Sequence, residues 1–310
     1  MCKINDIKVT VVVVTYNRLD KLKKSLSSYD NQVRKPYYMI IVDNASTDGT
    51  AEWLSKWKKK SHEFEVEIIT SEKNLGGSGG FYLGQERAMQ LNTDWIMISD
   101  DDAYPDNNYI KGLVEYIATN REENISIVCG AVKQENSLNE HTHRAYRKNN
   151  PFSLNVLKSV PKEDYKKNVF YPQFVSYVGI LISKSAMKKA GLVDKDRFIW
   201  CDDSEHSYRL SKYGKIACVP HYVILHDIEE ARKNLTWKTY YGCRNWLVFH
   251  KEHSPKTFIP AIIFSIIRVI AVPIKGNHML EEIKMRCVAM KDAIYGNMGM
   301  NDVYKPGWKP

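Results

Sequence analysis

Three consecutive carboxylates, Asp100-Asp101-Asp102, follow the apolar run Trp95-Ile96-Met97-Ile98. Adjacent acids repel one another and are tolerated when solvated or when a cation sits among them. A strand sends alternate side chains to one face, so Asp100 and Asp102 are expected to point together and Asp101 away. Two converging carboxylates make a hard-oxygen site for Mg²⁺ or Mn²⁺, with diphosphate oxygens as further ligands. An acidic helix-capping turn before Pro105 fits the same residues, and from them alone both readings stay open. A second acidic pair, Asp202-Asp203, follows Trp200-Cys201. At a helix start the free amides would stabilise both carboxylates. Beside Trp200, one of them could instead act as a general base. His226 closes the run His221-Tyr222-Val223-Ile224-Leu225 and is a candidate third metal ligand, although most single histidines are structural.

The elements that must hold these groups are legible upstream. Val9-Thr10-Val11-Val12-Val13-Val14 is a β-branched run suited to a strand buried on both faces. Further strands are expected at Tyr38–Val42, Val66–Thr70 and the run before Asp100, with helical patterns between them. That alternation predicts an α/β fold: a doubly wound, Rossmann-like, mostly parallel sheet with helices on both faces. Ligands of such sheets sit outside the carboxyl ends of the strands. Thr15-Tyr16-Asn17-Arg18, the stretch Asp43 to Asp48, the stretch Asn74 to Gly80 and Asp100–Asp102 all fall there. Gly76-Gly77-Ser78-Gly79-Gly80 lacks the Gly-Lys-Ser/Thr of a P-loop, and Tyr82 breaks a GxGxxG pattern. Its expected use is close backbone approach and free amides for phosphate or sugar oxygens. One more strand is expected at Ile125–Gly130, an irregular insertion from Ala131 to about Tyr171, and a strand over Phe174–Ile182.

Of the net charge of +9, eight lie in residues 232–310, which hold 13 Lys and Arg against 5 Asp and Glu. A basic tail on a neutral body argues against a nucleic-acid binder. The six cysteines form no CxxC pair and have no histidine cluster, which disfavours zinc and fits a reducing compartment. Met1 to Lys8 is short and polar, so a cytosolic chain is expected. Two regions follow: a catalytic body over 1–235 and a basic, aromatic, helical region over 236–310. Within the latter, Thr236–His253 and Leu280–Ile294 read as helices. Phe258–Ile274, with Arg268 inside and Lys251, Lys256 and Lys275 around it, reads as an interfacial helix on an anionic membrane surface. A buried core or dimer helix is the competing reading, and homo-oligomerisation stays open.

This ordered set resembles inverting, GT-A-fold glycosyltransferases of family two from Val9 to about Asn245. The resemblance rests on Thr15-Tyr16-Asn17-Arg18, Val42-Asp43-Asn44-Ala45-Ser46-Thr47-Asp48-Gly49-Thr50, Asn74-x-Gly-Gly-x-Gly-Gly, the acidic triplet at the DxD position, Trp200-Cys201-Asp202-Asp203-Ser204-Glu205 and Arg244-Asn245. It implies a UDP-sugar donor with Mn²⁺ or Mg²⁺. Thr15, Asn17, Arg18, Asn74, Gly76, Gly77 and Asp101 would border the nucleotide, and Asp43 would hold its uracil. Asp100 would serve nucleotide or metal, Asp102 and His226 would bind the metal, and Asp203 would be the base. Trp200, Asp202, Arg244 and Asn245 would face the acceptor. The glycine-dense loop and full triplet resemble galactofuranosyltransferases most, implying UDP-galactofuranose, with dTDP-rhamnose as the second donor. A lipid-linked glycan acceptor and a cytoplasmic place on the inner membrane face are the corresponding expectations. Two competitors are a nucleotidyltransferase, for which the loop after the first strand is too poor in basic residues, and a non-catalytic membrane-associated binding protein, against which both acidic clusters argue.

Overall fold

The computed structural model describes residues 4–134, 137–138, 143–228, 235–270 and 278–310. Its first half alternates as expected: β1 (Val9–Thr15), α1 (Leu19–Asp30), β2 (Tyr38–Asp43), α2 (Thr50–Lys58), β3 (Glu65–Thr70), α3 (Gly76–Gln90) and β4 (Trp95–Asp100). Then come β5 (Ala103–Pro105), α4 (Tyr109–Thr119), β6 (Ile125–Gln134), β7 (Ser137–Leu138), β8 (Arg144–Arg147), β9 (Leu157–Ser159) and β10 (Phe174–Val175). The chain closes with β11 (Ile180–Ser183), α5 (Lys184–Ala190), α6 (Asp202–Ser211), β12 (Lys215–His226), α7 (Trp237–His253), α8 (Pro255–Ile270) and α9 (Met279–Tyr295).

β1 is buried along its whole length because its β-branched side chains meet apolar partners on both faces. Val11 and Val13 pack with Leu22, Leu26 and Met39; Val12 and Val14 pack with Ile40, Phe81 and Ala88. Each such valine is worth about 1.5–3 kcal/mol of burial. Helix α3 lies directly on β1, which only glycine permits: a Cβ on Gly84 would come within 2.3 Å of Val12. Both neighbours of β1 run parallel to it, and the register aligns Thr15 with Asp43 and Val14 with Asp100. The polar ends of β1, β2 and β4 therefore share one rim.

The large sheet has the order β3-β2-β1-β4-β11-β6-β12-β5, with β7 beside β6. It is mixed rather than mostly parallel. The strand expected over Phe174–Ile182 is two: β10 pairs with β8, the chain turns through Gly179 at φ 66°, and β11 enters antiparallel between β4 and β6. The expected irregular insertion also carries order, since β6 continues to Gln134 and β8, β9 and β10 form a small sheet. β12 pairs antiparallel with β5, aligning His226 with Ala103, so the end of β12 returns to the acidic triplet.

Helices α7 to α9 pack on one another, and Tyr240 and Tyr241 of α7 join Phe198, Met285 and Tyr304 in one cluster. The region from 236 is thus built against the catalytic body. No helix among the described residues is long and apolar enough to cross a membrane. Ile274 and Lys275, named above for the interfacial stretch, lie outside the described residues.

Candidate active site

The rim of β1, β2 and β4, the start of α3, the 198–203 segment, the end of β12 and the start of α7 enclose a cavity of about 450 Å³. Thr15, Arg18, Asn74, Gly76, Gly77, Asp100, Asp101, Asp102, Trp200, Asp202, Asp203 and His226 all border it. Asn17, Asp43, Arg244 and Asn245 do not.

One ligand atom each from Asp100, Asp102 and His226 lies within 4.8 Å of the others. β4 ends at Asp100 and the chain turns, so strand alternation does not govern the whole triplet. Asp101 also borders the cavity, but its carboxylate is taken by neighbours: Thr15 Oγ1 donates to it at 2.7 Å and Arg18 Nη1 at 3.2 Å. The same Arg18 nitrogen reaches Asp102 Oδ2 at 2.6 Å. The other oxygen, Asp102 Oδ1, is buried without an aligned donor, although His226 Nε2 stands 3.2 Å away. An orphaned carboxylate oxygen beside an imidazole nitrogen and a second carboxylate fits a hard divalent cation such as Mn²⁺ or Mg²⁺. His226 is itself oriented: its Nδ1 lies 3.4 Å from His143 Nε2, and His143 Nδ1 lies 2.9 Å from Ser176 Oγ.

Burial, followed by repulsion from Asp102 and Asp101, raises the Asp100 carboxyl well above the usual range. Burial pushes Asp102 the same way, but the contact with His226 and the charge of Arg18 outweigh it and hold Asp102 low. Lys238, near the start of α7, borders the same cavity; burial and the repulsion of Arg18 lower its pKa against the pull of Asp100 and Asp102. Sequence spacing gave no sign of Lys238 or Trp237 as lining residues; Tyr16, within the Thr15–Arg18 turn, borders the cavity as well.

The second acidic pair opens α6, as expected. Asp203 Oδ1 accepts from the Ser204 amide at 2.5 Å and from Ser204 Oγ at 3.1 Å. Burial and the neighbouring Asp203 push Asp202 up to about 7. Burial also raises Asp203, but the Ser204 hydrogen bonds counter it. Both carboxyls border the cavity, and two adjacent buried carboxyls disfavour ionising together.

Phe198, Trp200 and Cys201 all have φ between 63° and 67°, a conformation side chains resist. The buried α7 residues Arg244 and Asn245 hold this segment from behind. Asn245 Nδ2 lies 3.0, 2.9 and 2.8 Å from the carbonyls of Arg197, Ile199 and Trp200, and Arg244 Nη2 donates to Arg197 O at 2.9 Å. Gly76 completes the clamp: at φ 73° its Cβ position falls 2.0 Å from the Phe198 carbonyl. Of the glycine run only Gly76 and Gly77 reach the cavity; Gly79 and Gly80 lie in α3 against Leu75 and Val14.

Asn17, at φ 52°, accepts the Thr47 amide at 2.7 Å and ties the β1 turn to the β2 turn. Asp43 lies beneath the rim; Oδ1 accepts the Ser46 amide and Oδ2 is buried without a partner among the described residues. Glu205, Glu252 and His253 form a second cluster with metal-ligand spacing. Arg209 and Arg197 already neutralise its carboxylates, so it reads as an ion-pair joint between α6 and α7.

The family description "Glycosyl transferase family 2" matches residues 10–179. Galactofuranosyltransferase GlfT1 of Mycolicibacterium smegmatis is 39% identical over 97 residues, 31% of this chain and 30% of that protein. The match thus spans under a third of that relative's length. dTDP-rhamnosyl transferase RfbF of Shigella flexneri is 23% identical over 303 residues, covering 94% of this chain and 97% of that protein. Among solved structures, GalNAc-T7 with UDP, GalNAc and Mn²⁺ aligns at TM-score 0.63 and 15% identity, over 94% of this chain and 57% of that one. S. aureus TarS 1-349 aligns at TM-score 0.59 and 17% identity, over 93% and 80%. These similarities show a GT-A-like fold.

Proposed function

The chain belongs to glycosyl transferase family 2, and from that premise we propose that it moves a sugar from a nucleotide donor to an acceptor hydroxyl with inversion. The observation that carries this reading is the convergence of Asp100, Asp102 and His226 with Asp203 on one cavity. A divalent cation held by that trio would neutralise the departing diphosphate. Arg18 and Lys238 bring two positive charges to the same wall, suited to diphosphate oxygens. Asp43, beneath the rim, bears on the uracil only through the β2 turn that it holds by accepting the Ser46 amide. Asp203, which borders the cavity at the start of α6, takes the proton of the attacking hydroxyl, a contribution of about 10²–10⁴ in rate. Trp200, about half exposed at the mouth, offers an aromatic face to an acceptor sugar. Arg244 and Asn245 act on the acceptor only through the backbone of residues 197–200.

Similarity to GlfT1, a galactofuranosyltransferase, supports galactofuranose as the sugar moved; UDP as its carrier and a lipid-linked or polysaccharide acceptor complete the proposal. The alignment with RfbF over nearly both full lengths favours dTDP-rhamnose as a second reading. Incubation with Mn²⁺, a polyprenyl-diphosphate-linked acceptor and each donor in turn separates the two. UDP release from UDP-galactofuranose is the expected result; dTDP release alone selects the second donor, and release from no nucleotide sugar contradicts transfer altogether.

A further inference from the structure

Helix α7 carries a glycine in its interior, Gly242, where alanine would favour the helix. What the glycine makes room for is Trp200. A Cβ at position 242 would fall 2.9 Å from Cε3 and 3.1 Å from Cζ3 of the indole. Beyond its chain neighbours and its own helix turns it would meet nothing else within 4 Å among the described residues. The benzene half of Trp200 therefore rests against bare backbone of α7, while the residue stays 46% exposed at the cavity mouth. Lys238, Gly242 and Asn245 follow at i, i+4 and i+7 and share one face of α7. Lys238 borders the cavity, and Asn245 Nδ2 donates to the Trp200 carbonyl at 2.8 Å. That face thus seats Trp200 twice, its backbone on Asn245 and its ring on Gly242.

We propose that Gly242 is a positioning residue for the acceptor: lacking a side chain, it lets the indole lie against α7 and so fixes the aromatic surface that the C–H face of an acceptor sugar meets. This rests on the reading of Trp200 as the acceptor's platform. The backbone hydrogen bond places the Cα of Trp200 but leaves a half-exposed ring its choice of rotamers; the seat on Gly242 selects one. Gly84 shows the contrast. A Cβ there would strike the buried Val12 and approach Val42, which have nowhere to go. A Cβ at position 242 meets only a ring that can swing toward solvent. Adding it therefore displaces the platform and leaves the fold, the acidic triplet and His226 in place.

The test is a double-mutant cycle in the full chain, Gly242→Ala and Trp200→Ala singly and together, with Mn²⁺, the polyprenyl-diphosphate-linked acceptor and whichever of the two donors the wild type turns over. Gly242→Ala is expected to raise the acceptor KM about tenfold, with kcat, donor KM and Mn²⁺ affinity within about twofold. Its melting temperature should not fall, since alanine favours the helix. Trp200→Ala should raise the acceptor KM by itself, and adding Gly242→Ala to it should change that value by less than about twofold. An acceptor KM unmoved by Gly242→Ala but raised by Trp200→Ala overturns the inference alone. So does an equal rise from Gly242→Ala in both backgrounds, because Gly242 would then act without the indole. An acceptor KM unmoved by Trp200→Ala overturns the platform reading, and a wild type that releases no nucleotide overturns the transfer reading; either takes the inference with it.

Discussion

Asp202 and Asp203 sit side by side at the start of α6, and burial keeps them from ionising together. Their chain position was legible as a helix start; the rise in the pKa of Asp202 was not, because it depends on depth rather than order. Asp202 is the more buried and carries a folded-state pKa of about 7, above the ordinary 3.8. The sign follows: its stabilising contribution is complete below about 3.8 and is lost as pH rises through about 7. Asp202→Asn is therefore expected to gain about 2 kcal/mol on the wild type between pH 5 and pH 8, read from paired melting curves without divalent cation. A gap between the two curves that does not change with pH would remove Asp202 as the proton holder. The triplet divides differently from the alternation rule. Asp100 and Asp102 do converge, as that rule expected. Asp101 stays at the cavity, held by Thr15 and Arg18, because the strand ends before it. His226 could be named from its place at a strand end, whereas His143 behind it follows a poorly patterned stretch with no such signal.

At the scale of elements, the first four strands were readable because β-branched runs and polar strand ends repeat. In the second half, elements such as the Ile125–Gly130 strand and the Thr236–His253 helix were legible too, but strand direction was not, since short segments such as Ile180–Ser183 give no sign of it. The 197–201 segment is where local preference and structure disagree most. Three non-glycine residues there hold positive φ, at a cost of about 1–3 kcal/mol each. Asn245 offsets this by hydrogen bonds to three of its carbonyls. The dipeptide Arg244-Asn245 was visible in sequence, but its burial turns a contact with substrate into support for the loop that carries Trp200. Asn245→Ala and Asn245→Asp should each lose about 2–3 kcal/mol of stability. They should also lower kcat more than tenfold while leaving Mn²⁺ affinity within about twofold. The aspartate, equal in shape but without donors, should not rescue. Unchanged kcat with reduced melting temperature would leave Asn245 a purely structural residue.

Across the whole molecule, the basic charge of residues 232–310 was plain from composition, but not how this region completes the site. α7 brings Trp237 and Lys238 to the cavity, and Pro306 returns to its edge. Residues after α9 also accept Arg244 through Gly299 O at 2.8 Å and stack Tyr304 on Tyr240. A stop after Gly296 is therefore expected to abolish turnover and to lower the melting temperature, while Asp100, Asp102 and His226 stay in place to bind Mn²⁺. Full turnover by the shortened chain would detach the C-terminal region from the site.

The central claim is that one cavity separates cation binding from proton removal. Transfer with Mn²⁺, donor and acceptor, measured beside Mn²⁺ and nucleotide affinity for the wild type and Asp203→Asn, tests it most directly. The account predicts a turnover loss of about 10²–10⁴ with both affinities retained. Turnover equal to the wild type in Asp203→Asn would contradict it.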